Sequence, residues 1–600
     1  MITFVTAIYE EARPFIELLG LKKRADEHMY QHFVSDGYEV VIVGEGHVSS
    51  LRNCSRHFAL HEPSADSIVI NVGICGSSFG NIGDIYLINK ITDENTGRTY
   101  YPDLIYKHDF PQHSITTVIY PKSSGEGLFD MEASALYEAF VPYFTLERMF
   151  FIKIVSDVFD GVDVLDKKLD PYARIMEHAK HIISFADSIH CHKKNISMND
   201  IQIDPIKEKF CLTESMSNQL KRVLFYRKLN GIDTDLKMFE DVVFENGSKS
   251  LKKEVFDKIL NELVSDSDLN FSSENRKEGL NPSFTNVYAE NDVIVPFEVK
   301  NLIRIDSYKD IFNRTHQNFD LQKKAPALIL SNQRGQFIYK GAKVCQDFGN
   351  KHFYYCSCLM NCIFDCDYCY LCGMYPGGNV VAFVNFDDIL KEIDEILTDH
   401  PMYLCVSYDT DLLAVEHMFG FVSKFIDACK TRPDLTIEIR TKSGNPLMFR
   451  NLEPTDQVIF AWTLSPEKVT MIEKKTASID KRLEAMKYCS DKGFKVRVCF
   501  DPMIFYKDWE KDYCDLVDKV FDTVSSDFVF DVSIGVFRIS ADYLKLMRKR
   551  RPDTPVVAFP FKVDNGVAHY GEISKMMINT LKHKVMEYIS EDRIFVWEEE

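Results

Sequence analysis

The chain has 600 residues, 45% hydrophobic and 27% charged, with a formal charge of −19 at pH 7. That length is too great for one hydrophobic core, so two to four compact units are expected, and the composition excludes a largely disordered or fibrous chain. The negative charge repels nucleic acid on average, so any DNA contact must come from a local patch such as Lys545 to Arg551.

No apolar run approaches the roughly 20 residues of a membrane helix, and the opening MITFVTAIYEEARPF turns acidic where a signal peptide stays apolar. A soluble, cytoplasmic protein with no membrane partner is expected. Sixteen cysteines without an export signal argue for reduced thiols, some of them metal ligands, over a disulfide framework.

From 1 to 190, β-branched strands (ITFVTAI, YEVVIVG, SIVINVG, DIYLINKI, MFFIKIVSD) alternate with helical stretches and end in HAKHIISFADSIH. This reads as an α/β domain. From 195 to 284 strands vanish; SMSNQLKRVLFYRKL and LKKEVFDKILNELV read as helices of a connector, followed by a polar linker, SDSDLNFSSENRKEGLNPS. From 285 to 600 the alternation returns with MYLCVSY, TIEIRTK, QVIFAWTL, KVRVCFD and FVFDVSIG. Repeated βα units of this kind predict a complete or partial parallel barrel with active residues at the C-terminal strand ends.

Seven cysteines lie between 345 and 372. Among them Cys362, Cys366 and Cys369 form Cys-x3-Cys-x2-Cys. Three thiolates at that spacing can bind three irons of a [4Fe-4S] cubane and leave the fourth open to chelate S-adenosylmethionine. One-electron reduction from an external donor then gives methionine and a 5′-deoxyadenosyl radical. A zinc site recruiting Cys366, Cys369 and Cys372 is a competing reading, and small buried core thiols are another.

This segment, with DIFNRTHQNFDLQKKAP before it and LCVSYDTDLLAVEHM, EIRTKSGN, FAWTLSP and EKKTASIDKRLEAMKYCSDKGFKVRVCFDPMI after it, resembles the radical S-adenosylmethionine superfamily, and within it the spore photoproduct lyase family. The resemblance implies a lyase that reverses a thymine photoproduct in damaged DNA, with Cys405 returning a hydrogen to the product. It also implies that Tyr368 and Tyr370 relay hydrogen or pack on the cofactor, and that Lys442, Ser465 and Ser407 contact S-adenosylmethionine. Each has a plainer alternative: Cys405 as a core thiol, the tyrosines as core aromatics, Lys442 as solvent-facing and Ser465 as a turn residue. The stretch between Cys405 and His417 is longer than the family pattern, and the flanks of Ala568 to Gly571, where the family contacts its lesion, differ from it.

Nearer the N-terminus, AIYEEARPF with Glu11, INVGICGSS with Gly73 and Gly76, FDMEAS with Met131 and Glu132, and IVSDVFDG with Asp157 resemble the nucleoside phosphorylase superfamily, particularly methylthioadenosine/S-adenosylhomocysteine nucleosidase. The resemblance implies a nucleoside-binding N-glycosidase. Asp157 would protonate the adenine, Glu132 beside Met131 and Gly73 would hold the ribose, and Glu11 would activate water. No arginine set suits a phosphate nucleophile, which favours hydrolysis. The segment before FDMEAS that usually supplies base-stacking contacts is largely missing.

The whole chain is thus expected to be a radical lyase fused to a nucleosidase for 5′-deoxyadenosine or methylthioadenosine-type nucleosides. Two alternatives stand: a radical enzyme acting on another nucleotide or RNA base, and a metal-bearing nucleic-acid-binding or sensor protein with an inactive nucleosidase-like domain.

Overall fold

The computed structural model describes residues 1–25, 29–159, 170–189, 198–232, 253–265, 284–299, 301–341 and 345–597. The chain divides into two compact units. One contains Met1–Lys194, Thr285–Tyr288 and Val299–Ala327; the other contains Asn195–Phe284, Ala289–Glu298 and Leu328–Glu600.

The boundaries drawn from sequence at 190, 195–284 and 285 differ from this packing. Residues 299–327 return to the N-terminal unit because Arg314 and Gln322 both bind Asp103, the latter at 2.6 Å. The connector folds with the C-terminal unit. There Tyr226 packs edge-on against Phe559 with centroids 5.6 Å apart, and Arg227 donates to the Leu263 carbonyl at 2.6 Å. The polar linker at 266–283 lies outside the described residues.

The N-terminal unit contains β1 (Ile2–Thr6), α1 (Tyr9–Leu19), β2 (Gln31–Ser35), β3 (Tyr38–Ile42), α2 (His47–Leu60), β4 (Ile68–Ser77), β5 (Ile85–Asp93), β6 (Gln112–Thr117), β7 (Leu128–Asp130), α3 (Ala133–Phe140), β8 (Met149–Val158) and α4 (Pro171–Ile189). Strand β4 is parallel to β1 and β8, and β1 to β3, with β2 antiparallel at the outer side. The pairing continues β8–β5–β6–β7 and back to β4, closing a ring of five strands.

Helices cover both faces, which is why β4 and β8 read as near-continuous apolar runs. Ile68, Ile70 and Val72 pack in one core with Phe15 and Ile182, while Val69 and Cys75 pack in the other with Phe58 and Leu136. The alternation is the two-residue period of a strand buried on both sides.

In the C-terminal unit, α5 (Glu214–Leu229) and α6 (Lys253–Ser265) are the connector helices. The main sheet runs β9 (Ile338–Lys340), β10 (Phe353–Cys356), β13 (Met402–Cys405), β14 (Leu435–Thr441), β15 (Val458–Thr463), β17 (Lys495–Met503), β18 (Val529–Val536) and β19 (Ile594–Val596), parallel throughout except at β9. It is a partial barrel. The short strands β11 (Asp365–Cys366), β12 (Val380–Phe383) and β16 (Glu473–Lys474) and the helices α7 (Leu371–Met374), α8 (Leu412–Phe419) and α9 (Ala541–Arg550) complete the part that frames the cysteine loop. No described helix is long and apolar enough to cross a membrane.

The barrel interior is charged. Arg497 donates to Tyr403 Oη at 2.6 Å, Glu438 Oε2 at 2.7 Å and Asp531 Oδ2 at 2.6 Å, and Arg440 pairs with Glu438. Two cations meet two anions, so no buried charge is left uncompensated. Burial alone would raise the Glu438 carboxyl, but Arg440 and Arg497 hold it below its ordinary range.

Candidate functional site

Strand period sets the C-terminal site. Tyr403, Glu438 and Arg497 form the charged layer, so the side chains two residues on, Cys405, Arg440 and Cys499, make the next layer toward the C-terminal strand ends. Arg440 there interacts electrostatically with both thiols. Cys405 is fully buried in an apolar cluster with Phe348, Phe353, Tyr403 and Ile459, bordered by Cys345 and Tyr408. Burial raises its pKa well above the ordinary thiol value, so it stays S–H.

Lys442 and Ser465 follow immediately after β14 and β15, at the barrel mouth. Ser407, just beyond β13, is buried and accepts from the Arg440 backbone N–H at 2.5 Å. His417 sits exposed on α8.

The cysteine loop is pinned at several points. Asn361 adopts a left-handed φ of 69°, and its side chain donates to the Gly377 and Asn379 carbonyls at 2.9 and 3.0 Å while accepting from Cys362 N at 2.9 Å. Strand β11 then pairs antiparallel with β16, placing Cys366 opposite Glu473. Cys369 N and Cys372 N bond back to the carbonyls of Cys366 and Cys369, both at 3.1 Å. Cys362 and Cys366 are buried and Cys369 is partly exposed.

The aspartates between the cysteines are clamped from outside the loop. Arg551 binds Asp365 and, at 3.4 Å, Asp367, and Lys474 binds Asp367 at 2.7 Å. Helix α7 lies directly on α9: a Cβ on Gly373 would fall 2.7 Å from the Tyr543 Cα. This changes the reading of Lys545 to Arg551. Arg551 is buried, Arg550 donates to the Cys372 and Tyr375 carbonyls, and Arg548 donates to those of Val557 and Phe559. Arg550 and Arg551 support the loop and Arg548 ties α9 to the segment after it, while Lys545 and Lys549 stay exposed.

Glu473 is the hub that sequence reasoning missed. It accepts from Tyr368 Oη, from Ser465 Oγ at 3.2 Å and from Arg482, and lies 3.9 Å from Lys442 Nζ. Burial pushes its carboxyl up, but Arg482 and Lys442 more than offset this. Lys442 is half-buried, its side chain 17% exposed, with Nζ 5.6 Å from the Tyr368 ring centroid. Burial pulls its pKa down, and Glu473 with the Cys366 and Cys369 thiols pulls it above the ordinary value.

Asp409 is a second missed hub. It accepts from Tyr370 Oη at 3.1 Å, Tyr375 Oη at 3.0 Å and Ser357 Oγ at 3.1 Å. Asp411 caps α8 and accepts from Lys442 N at 2.7 Å, tying the residues after Cys405 to the lysine. Thus Tyr368 shares Glu473 with Ser465, Tyr370 is held by Asp409, and Cys405 neighbours Tyr408 and Cys345, themselves 2.9 Å apart. Tyr570 is buried among Phe505, Phe537, Phe559 and Phe561, and its hydroxyl accepts from Phe505 N at 3.4 Å.

The donor set was tested against both metal readings. One tetrahedral zinc, with bonds of about 2.3 Å, draws its sulfurs to within about 4 Å of one another. No three cysteine sulfurs among the described residues lie within 4.8 Å of one another. A cubane separates its thiolates, since each binds a different iron, so the pinned loop with the half-buried Lys442 beside it suits the cluster better.

In the N-terminal unit β4 and β8 run in register with Lys153 opposite Gly73 and Asp157 opposite Gly76, and an irregularity between Val155 and Asp157 sets Ser156 apart. Glu11, near the start of α1, reaches back to accept from Ala7 N at 2.8 Å and across to Ile74 N at 3.0 Å. A Cβ on Gly73 would fall 3.1 Å from Glu11 Oε1 and 3.3 Å from Lys153 Nζ, so glycine leaves room for both. Asp157 is buried and accepts from Ser156 Oγ at 2.7 Å. Phe129 and Phe159 stand 5.6 Å apart, with Phe159 also against Gly76.

Glu132 precedes α3 and accepts from Gly46 N at 2.8 Å; Met131 beside it is half-buried. Lys153 and Asp130, both missed from sequence, form an ion pair of 2.7 Å that is almost wholly buried. Lys153 acts on Glu11 and Glu132 as well as on its partner Asp130. Burial raises Glu11 and pushes Glu132 up to about 7 despite it. One of these carboxyls can therefore carry a proton near neutral pH, as acid–base work requires.

Residues 353–591 match the family model described as spore photoproduct lyase. Over 190 residues the chain is 24% identical to the spore photoproduct lyase of Clostridium acetobutylicum, covering 30% of this chain and 56% of that one. Over 200 residues it is 20% identical to the Bacillus subtilis protein of that name, covering 32% and 58%. The chain thus spans a little over half the length of these curated relatives. Among solved structures, spore photoproduct lyase complexed with dinucleoside spore photoproduct aligns over 52% of this chain and 98% of its own, with TM-score 0.43 and 15% identity. An MTA/SAH nucleosidase aligns over 31% and 95%, with TM-score 0.27 and 17% identity. The C-terminal half is therefore similar to spore photoproduct lyase.

Proposed function

We propose that the C-terminal unit is a radical S-adenosylmethionine lyase that reverses a thymine photoproduct in DNA, and that the N-terminal unit hydrolyses 5′-deoxyadenosine or a related 5′-substituted adenosine. The observation that carries the first part is the loop of Cys362, Cys366 and Cys369, pinned by Asn361 and β16 beside the half-buried cation of Lys442.

Bound there, a [4Fe-4S] cluster would supply the electron that cleaves S-adenosylmethionine to methionine and a 5′-deoxyadenosyl radical. Lys442 offers its charge to the cofactor's carboxylate, and Asp411 fixes the lysine backbone. Ser465 and Ser407 present hydroxyls at the barrel mouth. Tyr368 and Tyr370 are held by Glu473 and Asp409, which orient them around the cofactor. Cys405 keeps its S–H bond in an apolar cluster. Once the deoxyadenosyl radical has taken a hydrogen from the lesion and the thymine–thymine bond has broken, Cys405 would give its hydrogen atom to the product radical. The thiyl radical would recover a hydrogen from 5′-deoxyadenosine through Tyr368 or Tyr370, which restores the deoxyadenosyl radical.

At the N-terminal site Asp157 donates a proton to the departing adenine, Glu132 grips the ribose, and Glu11 orients water. Lys153 balances the negative charge those carboxylates concentrate. The two activities belong together if the nucleosidase removes 5′-deoxyadenosine released by uncoupled radical turnover.

Anaerobic reconstitution, reduction with S-adenosylmethionine and a thymine-photoproduct dinucleotide, and chromatography for thymine product, 5′-deoxyadenosine and adenine test both parts. Repaired thymine and free adenine are expected. Protein that stays free of iron after every attempt at loading would overturn the first part; no adenine from added 5′-deoxyadenosine would overturn the second.

A further inference from the structure

A second donor cluster in the N-terminal unit uses none of the residues above. His32 lies on β2, and Glu39 on the adjacent β3. His57 and His61 are four residues apart at the end of α2, one turn above the other, with His61 as its C-cap residue. One ring nitrogen from each histidine lies within 4.8 Å of the other two, and no other three histidine, cysteine or carboxylate donors among the described residues come so close. Ring centroids are 4.8 Å apart for His32–His57, 5.1 Å for His57–His61 and 5.4 Å for His32–His61. His32 and His57 are buried, and the half-buried His61 opens the group to solvent.

The hydrogen bonds ready one ligand. His32 Nε2 lies 2.9 Å from Glu39 Oε2, and a carboxylate accepts, so Nε2 carries a proton and, in the neutral ring, Nδ1 carries the lone pair. His32 Nδ1 is buried without a hydrogen-bond partner. A buried nitrogen without a partner is costly, and a native fold keeps one where something else satisfies it. Glu39 also lies 3.4 Å from His57 Nε2 and accepts from Thr3 Oγ1 at 2.6 Å, and the Tyr30 hydroxyl sits 3.2 Å from His57 Nδ1. A carboxylate behind an imidazole whose other nitrogen is open is how metal-ligating histidines are oriented.

We propose that His32, His57 and His61 bind a divalent transition-metal ion, with zinc as the occupant and Glu39 as the orienting carboxylate. Three neutral imidazoles suit zinc rather than magnesium or calcium, which prefer oxygen. Nitrogens bonded at about 2 Å to one ion stand about 3–4 Å apart, a spacing that three nitrogens already within 4.8 Å of one another reach by a small inward shift. The ion would fasten the end of α2 to β2 and β3.

Untagged full-length protein, reduced and stripped with chelator, is titrated with Co2+ alone. One equivalent is expected with visible d–d absorption and no sulfur charge-transfer band, which separates it from cysteine ligation. His61→Ala should lose that equivalent, and Glu39→Gln should weaken binding about ten- to a hundredfold. Wild-type binding with only sulfur-type absorption, or none, overturns the proposal, as does undiminished binding by His61→Ala. Melting both proteins in chelator separates loss of the site from loss of the fold, and the wild-type spectrum alone decides the case if the variant does not fold.

Discussion

Replacing Glu132 by Gln isolates the charge strain in the N-terminal site. Burial is the main cause that pushes Glu132 from an ordinary 4.5 up to about 7; Lys153 and the Gly46 N–H oppose it, and Asp130 and Glu11 add to it. The folded state therefore holds this proton more tightly than the unfolded chain does. That contribution to stability is fully present below about pH 4.5 and is lost as pH rises through about 7. Above that, a shift of this size amounts to about 3 kcal/mol against folding. Glutamine keeps the shape and can still accept from Gly46 N, yet never ionises. The variant should match wild type near pH 4.5 and exceed it by up to about 3 kcal/mol at pH 8.5. Trp462, Trp509 and Trp597 all lie in the C-terminal unit, so tryptophan fluorescence is blind to this change. Hydrogen exchange of β4 and β8 peptides, corrected for intrinsic rates, is the assay, with roughly hundredfold slower exchange expected at pH 8.5 if opening is limited by this unit. Equal protection at pH 8.5, or a gain independent of pH, would refute the reasoning.

Lys153→Met removes a cation shared by Glu11, Asp130 and Glu132 and should cost the N-terminal unit about 3–5 kcal/mol, read by the same exchange experiment at pH 7. Arg551→Met removes the cation that binds Asp365 and leaves Asp367 to Lys474, and should lower the iron retained per chain after anaerobic loading; unchanged iron content would show that the clamp does not shape the loop. Cys405→Ala should leave S-adenosylmethionine cleavage at the wild-type rate while diverting the thymine product, and loss of cleavage itself would mark the thiol as structural.

Much of the fold was legible because its strands are buried on both faces and read as apolar runs: SIVINVG, MFFIKIVSD and QVIFAWTL all stand where the sequence put them. The cysteine spacing and the strand-end positions of Lys442 and Ser465 were equally plain. The polar partners were not, because pairing across long separations creates them. Glu473 becomes a hub only when β16 lies beside β11, and Asp103 draws Arg314 back across 211 residues, which no local pattern marks. Lys153 did leave a signal, as a lone cation inside the apolar FFIKIV run. The short strands Gln112–Thr117 and Leu128–Asp130 carry too few apolar residues to stand out.

Arg551 follows Cys362 by 189 positions in the chain, yet it secures the two aspartates between the sulfurs. During synthesis the thiols emerge long before this brace. A nascent chain halted before α9 would keep the loop's other ties, from Asn361, β16 and Lys474, but would lack the clamp that joins Asp365 and Asp367.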